Sequence, residues 1–115
     1  MLELSEGRPN MKLLTKQIEK KLPKLGTTDK QGWEAQAQVK FFSIGSDWRW
    51  FATEFDGKDT FFGLVQGFDT ELGYFSLSEL QSVKFMGIPA IERDINWKPQ
   101  ALKEIKNQLE VKGYA

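Results

Sequence analysis

Carboxylates are the side chains of this sequence best placed to do chemistry. Glu54, Asp56 and Asp59 cluster around one predicted hairpin tip. Paired carboxylates can act as general acid and base or hold magnesium or manganese. Glu54 and Asp56 are predicted to share a strand face, which favours convergence on one hard cation. The alternative interpretation is that these acids lie on a solvated turn and pair with Lys58.

A second acidic pair lies near the carboxyl-terminal third of the chain, where Glu92 and Asp94 flank Arg93. The same two interpretations apply: a carboxylate pair with acid–base or metal-binding capacity, or surface charges neutralised by Arg93. Neither acidic group predicts a catalytic residue by itself.

The composition excludes several kinds of active site. The chain has 115 residues, with no cysteine and no histidine. Ser-His-Asp triads, cysteine nucleophiles, thiolate zinc sites and disulfides are therefore excluded. Glycine-rich phosphate-binding loops, nucleophile elbows and EF-hand loops are also missing from the sequence. We expect a non-enzymatic protein with no cofactor and no resident metal, although carboxylates alone can still support hydrolysis.

Charge is unevenly distributed although sixteen basic and sixteen acidic residues cancel. Residues 47–94 carry four basic and nine acidic side chains, whereas both flanking segments are net basic. An acidic middle can attract a basic partner, including the DNA-binding surface of another protein. The alternative is an ordinary dipolar domain. Direct binding of nucleic acid is not expected, because no basic surface is predicted.

Aromatic side chains are concentrated in one predicted strand, which contains Trp48, Trp50, Phe51 and Phe55. Strand alternation predicts Phe51 and Phe55 on one face and the two tryptophans on the other. The rings either fill a core covered on both faces or leave an apolar patch exposed. If a patch is exposed, Trp48 and Trp50 are the expected anchors for a protein partner. The candidate binding residues are Trp48, Trp50, Glu54, Asp56, Asp59, Glu71, Glu92, Arg93 and Asp94.

The elements that must position these residues follow from hydrophobic periodicity and breaker residues. Residues 1–10 are predicted to be a flexible tail, and residues 11–115 a single domain. A short helix is predicted to end at Leu22 before Pro23, and the segment after it to be a loop. The predicted strands are residues 35–41, 48–55, 60–68 and 72–75, with Asp56-Gly57 as a hairpin turn.

The second half of the chain carries helix-boundary signals. Ser76-Leu-Ser-Glu79 is a capping box that predicts a helix from Leu77 to about Val83. Residues 84–97 are predicted to be irregular, with a brief extended piece at residues 91–95. Pro99 is predicted to begin a last helix that buries Leu102, Ile105 and Leu109 and ends at Gly113.

This order predicts an α+β fold: a four-stranded antiparallel meander sheet packed by N-terminal, middle and C-terminal helices. One face of the sheet is expected to pack against helices and the other to be partly open. An uncovered edge strand can also pair across a dimer axis.

Several strings resemble the bacterial family of domain of unknown function 2958. They include Lys40-Phe-Phe42, the pair Trp48 and Trp50, and the run from Ala52 to Val65. The resemblance continues through residues 71–80, 91–94 and 98–99, and spans about residues 11–104. It implies an accessory protein of plasmids, conjugative elements or phages. It brings no activity and no catalytic residue.

Three functional hypotheses follow. The first is a non-enzymatic protein-interaction module of a mobile genetic element, acting through acidic hairpins and exposed tryptophans. The second is an anti-defence inhibitor, anti-restriction or anti-CRISPR, that occupies a basic nucleic-acid channel. The third is a small carboxylate- or metal-dependent hydrolase. The absence of a long apolar run and of a secretion signal favours a cytoplasmic location and no membrane partner.

Overall fold

The computed structural model describes residues 12–115, and the predicted tail at residues 1–10 lies outside them. The structure is α+β, with short helices around antiparallel strands. The helices are α1 (Lys16–Lys21), a 3-10 helix (Asp29–Glu34), α2 (Leu77–Ser82) and α3 (Leu102–Lys112). The strands are β1 (Gln36–Ala37), β2 (Val39–Ser43), β3 (Arg49–Phe55), β4 (Thr60–Gln66), β5 (Thr70–Ser76), β6 (Lys84–Phe85), β7 (Ile88–Pro89), β8 (Ile91–Arg93) and β9 (Gln100–Ala101). None of these helices is long and apolar enough to cross a bilayer.

The main sheet has five strands in the order β5-β4-β3-β2-β8, all paired antiparallel. The predicted meander is β2 to β5, and β8 adds a fifth strand beside β2. The predicted strand at residues 35–41 divides in two, because β1 leaves the main sheet to pair with β9. The predicted extended piece at residues 91–95 contains β8. The four-stranded prediction did not place it in the main sheet, because only three residues pair there.

A β-bulge in β3 changes which side chains share a face. Ala52 pairs with Gly63 and Glu54 with Phe62, so Thr53 is the extra residue. An extra residue reverses the alternation beyond it. Phe55 therefore joins the core of Trp50 and not that of Phe51, and the predicted Phe51–Phe55 face is wrong.

Helices pack on both faces of the sheet, and the second face is partly open over β5, where Leu72 and Tyr74 are exposed. The first core lies under α1 and α2 and includes Phe41, Phe61 and Leu80. The second core lies under α3 and includes Phe51 and Leu64. Leu102, Ile105 and Leu109 are buried in the second core, as predicted. Stacked phenylalanines on one side and a helix stripe on the other explain the aromatic content of β3 and β4.

The helix ends largely follow the predicted signals. The Ser76 hydroxyl accepts the backbone N–H of Glu79 at 3.0 Å at the start of α2. Gly113 takes a left-handed conformation, φ 84°, and ends α3. The last helix begins three residues later than predicted, since Gln100 and Ala101 pair with β1 instead. Pro99 therefore precedes a short strand.

Two segments predicted to be irregular contain regular structure. The loop after Pro23 includes the 3-10 helix, in which Gly32 has a φ of 54°. The segment after α2 contains a hairpin, with Phe85 paired to Ile88 across Met86 and Gly87. Both turn residues have positive φ, 53° and 84°, as a tight primed turn requires.

Candidate functional site

Glu54 is a buried carboxylate that holds a loop in place. Its side chain is 2 % exposed, and its oxygens accept the backbone N–H groups of Gly26 at 2.8 Å and Thr28 at 2.7 Å. The Thr28 hydroxyl donates a further hydrogen bond. Burial by itself raises the pKa of Glu54, but the three hydrogen bonds outweigh it and leave the pKa below its usual value.

Asp56 and Asp59 organise the β3–β4 turn. Asp56 Oδ1 accepts the backbone N–H groups of Lys58, Asp59 and Thr60 within 3.0 Å, and these bonds lower the pKa of Asp56. Asp59 accepts both the backbone N–H and the hydroxyl of Ser78 at 2.8 Å. The first carboxylate closes the turn, and the second fastens it to the start of α2.

The acids near β8 lie at the edge of the sheet that β8 forms. Asp94 accepts the N–H of Asn96 and lies 3.7 Å from Lys40 Nζ. Arg93 donates to the backbone carbonyl of Lys12. Glu92 is paired in register with Phe42 of β2. Arg93 and Asp94 thus link the sheet edge to Lys12 and to Lys40 of β2.

Lys40 is half-buried between Asp94 and the carboxyl-terminal segment. Its Nζ donates to the backbone carbonyl of Ala115 at 2.6 Å. Desolvation lowers the pKa of Lys40, with an opposing contribution from Asp94. No group of three or more acidic side chains within residues 12–115 is arranged to hold a metal ion. Glu54 and Asp56 accept backbone hydrogen bonds from separate segments, residues 26–28 and 58–60.

The two tryptophans occupy different environments on the first-core face. Trp50 is buried, and Trp48 is half-buried beside it, with ring centroids 5.9 Å apart. Phe68, predicted to end β4, lies in the β4–β5 turn and is 95 % exposed. Its ring packs edge-on against the Trp48 ring, with the ring centroids 5.4 Å apart. Trp48 also covers Gly67, where an added Cβ would lie 2.6 Å from the indole ring.

Gly63 of β4 is crowded by backbone atoms and not by a tryptophan. At Gly63 an added Cβ would lie 1.8 Å from the backbone oxygen of Phe51. Close approach of the two backbones beside the bulge therefore requires glycine there.

The β6–β7 hairpin presents apolar side chains to solvent. Met86 is 86 % exposed at its tip, and Phe85 and Ile88 are exposed on its two strands. The Phe85 ring lies against Gly45 of the β2–β3 turn, where an added Cβ would lie 2.6 Å from the ring. This contact places the hairpin at the end of the sheet where Trp48 precedes β3.

A groove of about 280 Å³ lies beside the two tryptophans on the first-core face. Trp48, Trp50 and Val65 line it from the sheet, and Leu80 and Val83 from α2 and the residue after it. We use the name tryptophan surface for a set of exposed or half-buried apolar side chains from the groove lining, the β4–β5 turn and the β6–β7 hairpin: Trp48, Phe68, Val83, Phe85, Met86 and Ile88.

Acidic side chains border the groove. Glu79 lines it, and Glu71 lies on β5 directly opposite Val65. Neither acid forms an ion pair within the part of the chain that the structure describes. Of the candidate binding residues, the structure therefore brings Trp48, Trp50 and Glu71 to one surface. Glu54, Asp56 and Asp59 are engaged at the β3–β4 turn, and Glu92, Arg93 and Asp94 lie at the β8 edge.

Sequence reasoning missed Phe68 and the hairpin side chains. The strand predicted at residues 60–68 includes Phe68, whereas β4 ends at Gln66. Met86-Gly87 between Phe85 and Ile88 carried a usable signal, a glycine-containing pair flanked by β-formers. The signal is weak because methionine, which occupies the first turn position, rarely adopts a positive φ.

Comparison with known proteins gives one match. A family model described as "Protein of unknown function (DUF2958)" matches residues 13–109. No curated protein and no solved structure shows significant similarity to the chain.

Proposed function

This chain belongs to the DUF2958 family, whose function is unknown, and we propose that it is a non-enzymatic module that binds another protein. The observation that carries the proposal is the tryptophan surface. Phe68 and Met86 are each more than four-fifths exposed. Phe68 packs against Trp48, and Phe85, the neighbour of Met86, packs against Gly45 of the β2–β3 turn. Large exposed apolar side chains grouped beside a groove are typical of protein-binding surfaces.

Backbone geometry at Met86 supports the same proposal. A non-glycine residue with φ of 53° is strained by about 1 kcal/mol, and an asparagine or glycine would relieve that strain. Met86 neither fills a core nor forms the turn well. A flexible, polarisable side chain at a hairpin tip is well suited to contact an apolar partner.

The finer parts of the proposal come from resemblance and charge. We propose that the protein is a cytoplasmic accessory of a mobile genetic element. An anti-defence role is a specific version, supported by the acidic middle segment and by Glu71 and Glu79 beside the groove. Protection of DNA from a restriction nuclease by the purified protein tests that version. Unchanged cleavage at protein excess contradicts it.

The binding proposal is tested by affinity capture from a lysate of the source organism. The full chain is compared with the double variant Phe68→Ser, Met86→Asn. The expected result is a stoichiometric partner that the wild type recovers and the double variant loses, because the apolar contact area is removed.

The matched control is Val111→Ser, an exposed apolar residue on α3 outside the tryptophan surface. Circular dichroism and thermal unfolding establish that each variant is folded. Recovery of no stoichiometric partner by the wild type, or equal recovery by the double variant, contradicts the proposal.

A further inference from the structure

Strand β5 has one edge that no other strand among residues 12–115 covers. It pairs with β4 alone and ends the order of the main sheet. The ladder between them is bounded by two backbone bonds, Leu77 N–H to the Asp59 carbonyl and Gly67 N–H to the Asp69 carbonyl. Along an antiparallel ladder, residue pairs that exchange backbone hydrogen bonds alternate with pairs that do not. The backbone groups of Leu72 and Tyr74 therefore point away from β4, toward the open edge.

This edge lacks the usual protection against strand addition. All seven residues of β5 pair with β4 without a register shift, and the strand contains neither proline nor lysine. Natural edge strands are commonly short, bulged or charged with lysine. The other edge of the sheet, β8, follows that rule, because it has three residues and Arg93 is bound to the Lys12 carbonyl.

The side-chain environment of the open edge is apolar and acidic. The groove beside β5 is lined by Trp48, Trp50 and Phe75, and Glu79 stands at its rim. Glu71 is the one charged side chain of β5. An extended segment on this edge would thus meet an apolar cavity on the first-core face and two carboxylates without ion-pair partners in the described chain.

We propose that β5 receives an extended, basic segment of the partner protein as a sixth strand. The segment's backbone bonds to Leu72 and Tyr74, one apolar side chain enters the groove, and flanking lysine or arginine side chains meet Glu71 and Glu79. This inference rests on the proposed function and names the partner's chemistry at the same surface. A second copy of this chain fits less well, because pairing two β5 edges brings the acids of both copies together.

Binding of a synthetic peptide tests the proposal on the full chain. The probe is as long as β5, seven residues, and alternates lysine with valine or leucine. One matched peptide carries glutamate in place of lysine, and a second has N-methyl groups on the amides that would face β5. Anisotropy of the dye-labelled peptides should give an affinity for the lysine peptide about tenfold above that of either matched peptide.

Two protein variants and an exchange experiment locate the binding. Glu71→Lys should weaken binding of the lysine peptide severalfold. Glu110→Lys makes the same charge reversal on the exposed face of α3 and should leave this binding unchanged. Hydrogen exchange at the amides of Leu72 and Tyr74 should slow when the lysine peptide is bound. A merely electrostatic association leaves these amides unprotected.

Several results overturn the inference. They are equal binding of the N-methylated peptide, no binding of the lysine peptide, or no protection of the Leu72 and Tyr74 amides. A dimer in sedimentation that protects these amides without peptide also overturns it, in favour of a second copy. If affinity capture by the tryptophan surface succeeds while the peptide experiments fail, the edge-strand inference falls and the proposed function stands.

Discussion

The Glu54 carboxylate accepts the backbone N–H of Thr28 at 2.7 Å, across 26 residues of sequence. This bond joins the loop after α1 to the bulged end of β3. It assigns to loop anchoring a carboxylate that the sequence offered as a catalytic or metal-binding group. The bulge at Thr53 sets the face of the sheet on which Glu54 lies. The position of this buried carboxylate therefore depends on the bulge.

Acid should destabilise the protein partly through Glu54. Its pKa is lower in the folded state than in the unfolded chain, so its contribution is present above the unfolded pKa and is lost as pH falls through the folded value. Urea unfolding at pH 7 and at about pH 3.5 measures this loss. Wild type should lose more stability over this interval than Glu54→Gln, which does not titrate.

At pH 7 the Glu54→Gln variant should be less stable than wild type by about 2 kcal/mol, because the amide replaces one accepting oxygen with a donor. Equal pH dependence of the two proteins would show that Glu54 is not responsible for the acid sensitivity.

The contact of Trp48 with Gly67 predicts that alanine substitutions at two glycines have different effects on the free energy of unfolding. Gly67→Ala places a Cβ 2.6 Å from the indole ring and should cost about 1–3 kcal/mol of unfolding free energy. Gly73→Ala, on β5 with nothing within 4 Å of the added Cβ, should be neutral or stabilising by about 0.5 kcal/mol. Chemical denaturation measures both, and equal effects would contradict the packing of Trp48 over Gly67.

Met86→Asn should separate stability from binding. Asparagine accepts positive φ more readily than methionine, so this variant should be more stable than wild type by about 1 kcal/mol. It removes a side chain of the tryptophan surface and should weaken capture of the partner. Thermal unfolding and affinity capture give the two readouts. A variant that gains stability and binds normally would remove Met86 from the proposed contact.

Titration with magnesium or manganese tests the hydrolase alternative directly. Asp56 already accepts three backbone N–H groups, and no group of three acids in the described chain is arranged around a common point. We therefore expect no calorimetric heat of binding at millimolar metal. Asp56→Asn should lower the melting temperature through the turn without changing the titration. Saturable heat in the wild type that disappears in Asp56→Asn would revive the hydrolase.

Local signals predicted much of the fold. The Ser76 cap, the positive φ of Gly57 and the buried stripe of α3 follow from interactions within a few residues, which the sequence displays directly. The acidic candidates were found by residue type, yet their partners were not, because Gly26 and Thr28 are distant in sequence from Glu54.

The sequence by itself determined the α+β class, the meander, the exclusion of imidazole and thiol chemistry, and the family. These properties depend on composition and on periodicity over short windows. Only the tertiary structure decided which face Phe55 and Glu54 occupy, that β8 completes the sheet, and that Phe68 packs on Trp48 while Met86 stays exposed. A single extra residue in β3 reverses the alternation, and contacts between distant segments then decide which side chains remain exposed.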